Sequence, residues 1–324
     1  MSENTKIEWC DSTFNPWIGC TKVSPACDDC YAARSTPARA MGIVWGPKEA
    51  RHRTAPGTWS QPKRWEREHA AFYAEHGRRR RVFCASLADV FDNAVPEAWR
   101  ADLFEVIAKT PRLDWLLLTK RIGNVTPMIE RLKPDLMLRE VGAIWPLPNV
   151  WLGISVVNQE EADRDIPKLL ATPARVRWLS MEPLLGPVDA SPWLTAAPIE
   201  PNGGGTLTRR VDWVIAGGES GPEARPMHPD WPRSLRDQCT AAGVPFLFKQ
   251  WGEWTPGENV ERVRGIVDTA FLDDIGEIKW RIYPLNLTTD NGHIDDQPDL
   301  YRVGKKAAGR WLDGVQHDGF PEAT

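Results

Sequence analysis

The chain has 324 residues, with 40 Lys and Arg against 44 Asp and Glu, and a net charge of −4. This is an ordinary globular balance, and the mildly acidic charge argues against a protein that coats nucleic acid in bulk. No apolar run approaches the roughly 20 residues of a membrane span, and the polar stretch before Trp9 lacks the apolar core of a secretory signal. We therefore expect a cytoplasmic protein without membrane contact, whose thiols stay reduced.

The first feature along the chain is a loop that holds three of the six cysteines. These are Cys20, Cys27 and Cys30, in a segment rich in Gly, Pro, Ser and Asp. Thiolates at this spacing reach one metal ion or iron–sulfur cluster, and three ligands leave one coordination position open for catalysis. The alternative is a structural zinc site with Cys10 as the fourth ligand. Cys84 lies in an apolar run and Cys239 has no nearby partner, so neither is a ligand candidate.

Further along, a helix is predicted over residues 61–76, and it runs into four consecutive arginines at positions 78–81. Such a run is suited to binding phosphate, and a solvated helix end is the alternative. Six short apolar runs then alternate with helix-length polar segments, which is the pattern of βα units and a buried parallel sheet. The predicted strands cover residues 81–86, 114–120, 149–156, 176–182, 211–220 and 244–250. Helices are predicted over residues 96–108, 160–170 and 231–242.

Each predicted strand ends in polar or charged residues. Because the carboxyl ends of the strands line the active-site face of βα barrels, we expect these residues to share one site. The candidate cofactor and substrate contacts near these ends are Ser86, Asp89, Thr119, Lys120, Ser155, Asn158, Glu182 and Glu219. Other polar strand ends are Ser220, Lys249 and Gln250.

Two segments depart from the βα pattern. Residues 187–210 contain three consecutive glycines and predict a surface insertion, and residues 257–300 predict an acidic, irregular region. Helical character returns over residues 304–312. The expected fold class is α/β, with a partial TIM-like (βα)6 barrel of parallel strands over residues 1–256 that carries the cysteine loop. An irregular C-terminal extension, residues 257–324, is expected to pack on this barrel.

Several segments, in the same order, resemble the phage three-cysteine-motif family, whose members occur in bacteriophages and prophages and are grouped with radical S-adenosylmethionine proteins. The resemblance runs through most of the chain. It is carried by residues 13–20, 27, 30–32, 118–121, 153–156, 179–187, 217–222, 248–252 and 305–310.

The resemblance implies a 4Fe-4S cluster held by Cys20, Cys27 and Cys30, with the fourth iron free to chelate S-adenosylmethionine. Reduction by an external electron donor would cleave this cofactor and release a 5′-deoxyadenosyl radical, which abstracts hydrogen from the substrate. The phage setting of the family implies a nucleotide or a DNA base as the substrate, in the cytoplasm of a bacterial host. The alternative is a non-catalytic zinc- or Fe–S-binding module that interacts with nucleic acid or protein.

The cysteine spacing departs from the family pattern of most radical S-adenosylmethionine enzymes, C-x3-C-x2-C, because the first gap is six residues here. Many of those enzymes have an aromatic residue just before the last cysteine, near the adenine. Here Asp29 occupies that position and Tyr31 follows the cysteine. Most of the 17 tryptophans are expected in the core. Trp17, Trp251 and Trp254 lie near strand ends or the cysteine loop and are the candidates for stacking on bases.

Overall fold

A computed structural model describes residues 3–139, 145–199, 207–260, 265–273, 278–287 and 300–322. Within these ranges the strands are β1 (Ser12–Phe14), β2 (Trp17–Ile18), β3 (His52–Arg53), β4 (Arg80–Cys84), β5 (Leu113–Thr119), β6 (Val150–Ser155), β7 (Val176–Met181), β8 (Ala197–Ile199), β9 (Leu207–Arg209), β10 (Trp213–Gly217), β11 (Phe246–Gln250), β12 (Trp254–Pro256), β13 (Gly265–Asp273), β14 (Lys279–Leu287) and β15 (Leu300–Arg302). The α-helices are α1 (Thr36–Ala40), α2 (Pro56–Trp59), α3 (Gln61–Arg67), α4 (His69–His76), α5 (Glu97–Ala108), α6 (Ile122–Leu138), α7 (Gln159–Ala171), α8 (Ser191–Leu194), α9 (Asp230–Ala242) and α10 (Lys305–Ala308).

Seven of the described strands form one parallel sheet in the order β1-β4-β5-β6-β7-β10-β11. The sheet curls into a half-barrel surrounded by helices, so the α/β prediction is confirmed. The six predicted strands are present as β4, β5, β6, β7, β10 and β11, and β1 is an additional strand that was not predicted. With only three residues, two of them Ser12 and Thr13, β1 lacks the continuous apolar run that indicates a buried parallel strand.

The two faces of the sheet have different cores because side chains alternate along each strand. On the convex face, Trp115, Leu152 and Leu179 belong to the larger core, which they share with apolar residues of the surrounding helices. The concave face carries a smaller core rich in tryptophan. Its buried members are Trp9, Cys10, Phe83, Leu116, Trp151, Val176, Trp178, Trp213, Ile215 and Leu247. A Cβ atom at Gly153 would overlap the Trp178 indole, so glycine there lets the ring lie against β6.

Both ends of the chain help to fill the concave side of the half-barrel. The Trp9 ring lies 4.5 Å from Phe83 and 5.3 Å from Trp178, measured between ring centroids. Phe320 packs against the same core. Residues 317–319 exchange backbone hydrogen bonds with β11, which covers the free edge of the sheet.

The arginine run at positions 78–81 lies at the amino end of β4, and its side chains contact other parts of the protein. Arg78 donates two hydrogen bonds to the Asp11 carboxylate, at 2.7 and 2.8 Å. The Arg81 guanidinium lies 3.8 Å from the centroid of the Phe320 ring. The four arginines therefore stabilise the amino-terminal end of the sheet. They face away from the carboxyl-terminal edge, where the cysteine loop lies.

The Asp11–Arg78 pair predicts a specific pH dependence of stability. Burial raises the pKa of Asp11, but hydrogen bonds from Arg78 and the Arg81 amide outweigh it and hold the pKa below its usual value. A carboxyl group with a depressed folded-state pKa stabilises the fold above the unfolded pKa of about 3.9, and this contribution disappears as the pH falls through the folded value. We expect Asp11→Asn to lower the free energy of unfolding at neutral pH by about 1–3 kcal/mol.

Urea unfolding at neutral and acidic pH measures this effect, and the difference between Asp11→Asn and the parent protein should shrink as the pH falls. Asp237→Asn is the control because its side chain is 67% exposed in a surface ion pair with Arg236. A pH-independent difference for Asp11→Asn would contradict the assigned role of the carboxylate.

The described part of the C-terminal region is more regular than the sequence predicts. Strands β12, β15, β13 and β14 form an antiparallel sheet in that order, so the prediction of an irregular extension is wrong for these residues. Polar residues and Pro284 interrupt the alternation that would indicate strands in β13 and β14. This sheet begins with β12, just before the predicted boundary at residue 257. The predicted insertion at 187–210 contains α8 and the β8–β9 hairpin in its described part.

Candidate functional site

The cysteine loop, residues 20–30, lies at the carboxyl-terminal edge of the parallel sheet. Just before it, the Gly19 amide donates to the Leu87 carbonyl oxygen, beyond the end of β4, at 3.1 Å. Just after it, the Tyr31 hydroxyl donates to the Ser86 carbonyl oxygen at 2.8 Å. Both ends of the loop are therefore tied to the segment that follows β4.

Arg121, the residue before α6, holds the Cys20 side of the loop. Its guanidinium donates to the Thr21 carbonyl oxygen at 2.7 Å and lies 3.5 Å from the Cys20 Sγ atom. It also pairs with Asp89 at 2.9 Å, and both side chains are less than one-tenth exposed. Burial and the Asp89 charge outweigh the opposing effect of Arg121 and raise the pKa of the Cys20 thiol to about 12. The metal-free thiol at this position is therefore protonated at neutral pH.

Arg225, in the segment after β10, holds the other side of the loop. Its Nε and Nη2 atoms donate to the two oxygens of Glu219 at 2.8 and 2.7 Å. The same guanidinium donates to the Pro25 carbonyl oxygen at 3.0 Å and lies 3.4 Å from the Asp28 carboxylate. The loop is thus attached to the segments that follow two separate strands, β5 through Arg121 and β10 through Arg225.

Five polar residues occupy the concave face near the same edge, next to the smaller core. Lys249 Nζ lies 2.6 Å from Glu182 Oε2, and the Ser180 hydroxyl donates to Glu182 Oε1 at 3.2 Å. Lys120 Nζ donates to Ser155 Oγ at 3.0 Å. Ser155 and Ser180 are paired in register across β6 and β7. We call these five residues the interior polar row.

The charged side chains of the interior polar row are partly buried. Burial lowers the pKa of Lys249, but the neighbouring Glu182 carboxylate outweighs it, and the net shift is upward. Lys249 therefore stays protonated at neutral pH, opposite the Glu182 side chain. Lys120 adds a second cation whose hydrogen bond goes to a neutral hydroxyl group.

Three of the eight predicted contacts, Lys120, Ser155 and Glu182, lie in the interior polar row. Two other predicted contacts, Asp89 and Thr119, hold Arg121 in place. The Asp89 carboxylate accepts hydrogen bonds from the Thr119 hydroxyl at 2.8 Å and from the Lys120 amide at 3.1 Å, in addition to its pairing with Arg121. Asp89 and Thr119 therefore position the loop-holding arginine.

The remaining predicted contacts hold local structure. Ser86 Oγ accepts a hydrogen bond from the Asn15 amide at 3.0 Å, which joins the ends of β1 and β4. Asn158 caps α7, since its side-chain oxygen accepts from the Glu161 amide at 2.9 Å. Glu219 is engaged on both oxygens by Arg225.

Three residues of the site, Arg121, Ser180 and Arg225, were not predicted from the sequence, although Arg121 directly follows the predicted contacts Thr119 and Lys120. Ser180 precedes Glu182 by two positions, and residues two apart share one face of a strand. That spacing could have revealed Ser180. Arg225 lies in a segment without strand or helix periodicity, and no local signal in the sequence connects it with the cysteine loop.

The prediction that three tryptophans stack on bases is wrong. Trp17, Trp251 and Trp254 are only 0%, 1% and 2% exposed, so none presents a ring face to a ligand. The indole N–H groups of Trp251 and Trp254 donate to backbone carbonyl oxygens of Trp311 and Ala224. Trp251 and Trp254 instead pack the junctions between the half-barrel and the C-terminal segments, and Trp17 belongs to the larger core.

The donor chemistry of the cysteine loop fits an iron–sulfur cluster. Cys27 is buried, Cys20 and Cys30 are half-buried, and all six cysteines of the chain are free thiols. Within the described ranges, no three His, Cys, Asp or Glu side chains are already gathered as a metal-binding group. The three thiols share one short loop, which is fixed at Thr21 and Pro25.

Fold and site together define an α/β protein with a parallel half-barrel and a three-cysteine loop at its carboxyl-terminal edge. The chain belongs to the DUF5131 family, described as a protein of unknown function, and the family model matches residues 4–321. None of the curated proteins and none of the solved structures matches the chain. Among the described helices, none combines the length and the apolar character needed to cross a bilayer.

Proposed function

We propose that this protein is a radical S-adenosylmethionine enzyme whose 4Fe-4S cluster is held by Cys20, Cys27 and Cys30. One observation carries the proposal: the three thiols lie on a single loop at the carboxyl-terminal edge of a parallel half-barrel. Arg121 and Arg225 fix this loop from the ends of β5 and β10. In βα barrels this edge is where catalytic groups gather.

A cluster held by these cysteines would pass one electron from an external donor to S-adenosylmethionine, which would be cleaved to methionine and a 5′-deoxyadenosyl radical. The chain's own residues bind and orient the reactants. In the interior polar row, Lys120 and the Glu182–Lys249 pair offer charges of both signs. These charges complement the carboxylate and amino groups of the cofactor.

The smaller core protects a radical from solvent. Trp151, Trp178 and Trp213 are at most 2% exposed and fill the concave side of the sheet beside the interior polar row. Exclusion of water limits quenching of a reactive intermediate. We infer that the hydrogen is abstracted from a nucleotide or a DNA base, and that the enzyme works in the cytoplasm of a bacterial host.

Anaerobic reconstitution with iron and sulfide tests the cluster assignment. We expect a brown protein with about four iron and four sulfide per chain. Each of the variants Cys20→Ala, Cys27→Ala and Cys30→Ala should lose the charge-transfer absorption. Cys239→Ala is the matched control because its thiol is buried in the larger core on α9.

Cys10→Ala separates the cluster from the zinc alternative. Cys10 is buried in the smaller core beside Trp9 and Phe83, so the variant should keep the colour. A colourless protein that holds one zinc ion and loses it in Cys10→Ala would contradict the proposal and favour a non-catalytic zinc module.

A further inference from the structure

A cavity of about 300 Å³ lies beside the cysteine loop and meets the interior polar row at Lys120. Val23 of the loop lines one side of it, and the first turn of α6 lines another. Helix α7 completes it with the exposed Arg164 and Lys168 and the buried Asp165. The cavity therefore joins three separate elements at the carboxyl-terminal edge of the sheet.

Cations dominate the lining of this cavity. Lys120, Arg121, Arg164 and Lys168 line it together with the single carboxylate of Asp165. That carboxylate is shared, since Arg164 contacts it at 2.6 Å and Lys168 at 2.9 Å. Behind the wall, Asp89 pairs with Arg121 and Glu161 lies 3.7 Å from Arg164.

The arrangement places these cations where an anion can reach them. The side chains of Arg164 and Lys168 are 47% and 48% exposed, so their remaining donors are open to a ligand. Helix α6 begins at the cavity without a side-chain cap, and the N–H groups of its first turn add a favourable partial charge. Ile122 and Gly123, the first two residues of this helix, both line the cavity.

The cavity is continuous with the candidate catalytic edge through two of its residues. Lys120 lines the cavity and also donates to Ser155 in the interior polar row. Arg121 lines it and also lies 3.5 Å from Cys20 Sγ. A group bound in the cavity would hold the rest of its molecule next to the thiol loop.

We propose that this cavity binds a phosphate group of the substrate, supplied by a nucleotide or by a single strand of DNA. As a substrate site, the assignment rests on the proposed function. Arginine and lysine side chains with a helix N-terminus are the groups that proteins use to bind phosphate. This local cluster is compatible with the acidic net charge of −4, because binding depends on the potential inside the cavity.

The test measures binding of a short fluorescein-labelled single-stranded DNA by anisotropy across a salt series, without reductant or S-adenosylmethionine. We expect the double variant Arg164→Gln/Lys168→Gln to weaken binding about tenfold and to reduce the slope of log K against log salt by about 0.7, the value for one lost phosphate contact on a single strand. Asp165→Asn should tighten binding about threefold, because it removes the only carboxylate among the described lining residues. Weaker binding by the double variant and tighter binding by Asp165→Asn cannot both result from misfolding.

The matched control is Arg131→Gln/Lys133→Gln, which removes two exposed cations on α6 that pair with Glu97 and Glu130 outside the cavity. Equal weakening by this control, or no effect of any cavity variant, would overturn the proposal. Competition with unlabelled deoxynucleoside monophosphate distinguishes the two sources. Displacement of the probe by the mononucleotide at comparable concentration assigns the cavity to nucleotides, and displacement only by the strand assigns it to DNA.

The outcome is separable from that of the proposed function. Cavity-dependent binding in a protein that fails to cleave S-adenosylmethionine would contradict the enzyme and retain the phosphate site. Cleavage of the cofactor together with binding that ignores the cavity variants would contradict the phosphate site alone.

Discussion

Replacing Asp89 by asparagine should lower the free energy of unfolding by about 3–5 kcal/mol, because it leaves the Arg121 charge without its buried partner. Asp89 is 5% exposed, and its two oxygens accept hydrogen bonds from Thr119, Lys120 and Arg121. An amide can accept only on its oxygen, so its NH₂ group would face donors. Urea denaturation at neutral pH measures the loss.

Two further variants test whether the effect of Asp89→Asn comes from its buried pairing with Arg121. Asp163→Asn, an exposed carboxylate on α7 that accepts from Gln159, should change stability by less than about 0.5 kcal/mol. Combining Asp89→Asn with Arg121→Gln should recover part of the lost stability, since no uncompensated charge then remains. Strict additivity of the two single variants would contradict a coupled buried pair.

The second large effect concerns Arg225, which should matter for activity far more than for stability. The Glu219 side chain is only 6% exposed, but Arg225 is 31% exposed and its loss admits water, so we expect Arg225→Gln to cost about 1–3 kcal/mol of unfolding free energy. The same variant removes the donor that joins Glu219 to the Pro25 carbonyl oxygen. Because a displacement of about 1 Å can cost about 100-fold in rate, formation of 5′-deoxyadenosine should fall about 10- to 100-fold.

Arg64→Gln is the control for Arg225→Gln. Arg64 is a half-exposed arginine on α3 that pairs with Glu3 and Glu68 and contacts no part of the cysteine loop in the described structure. Its loss should leave cofactor cleavage unchanged. Equal activity of Arg225→Gln and the parent protein would show that the loop needs no support from the end of β10.

Much of the half-barrel could be predicted from the sequence because buried parallel strands are continuous apolar runs. Strands β5 and β6 have this composition over residues 115–118 and 150–154. Strand β1 could not be recognised, because its three residues gain their place from pairing with β4 and not from their own composition. The antiparallel C-terminal sheet could not be recognised for the same reason. Its strands contain polar positions and are stabilised by pairing with each other.

The candidate site was predicted only in outline. Polar strand ends indicated the carboxyl-terminal edge, where the structure places the cysteine loop, but the sequence did not distinguish side chains that face the concave side from those that hold the loop. Lys120 lies in the interior polar row, whereas Thr119, one residue earlier, points to Asp89. The contact between Arg225 and Pro25 joins residues 200 positions apart and depends entirely on the curl of the sheet.

Production of 5′-deoxyadenosine tests the central claim most directly. The reconstituted protein is incubated anaerobically with dithionite and S-adenosylmethionine, and the product is quantified by mass spectrometry beside Cys27→Ala and Cys239→Ala. If the protein is the proposed enzyme, the parent protein and Cys239→Ala form 5′-deoxyadenosine, and Cys27→Ala forms none. A parent protein that carries a full 4Fe-4S cluster but forms no more 5′-deoxyadenosine than Cys27→Ala would contradict it.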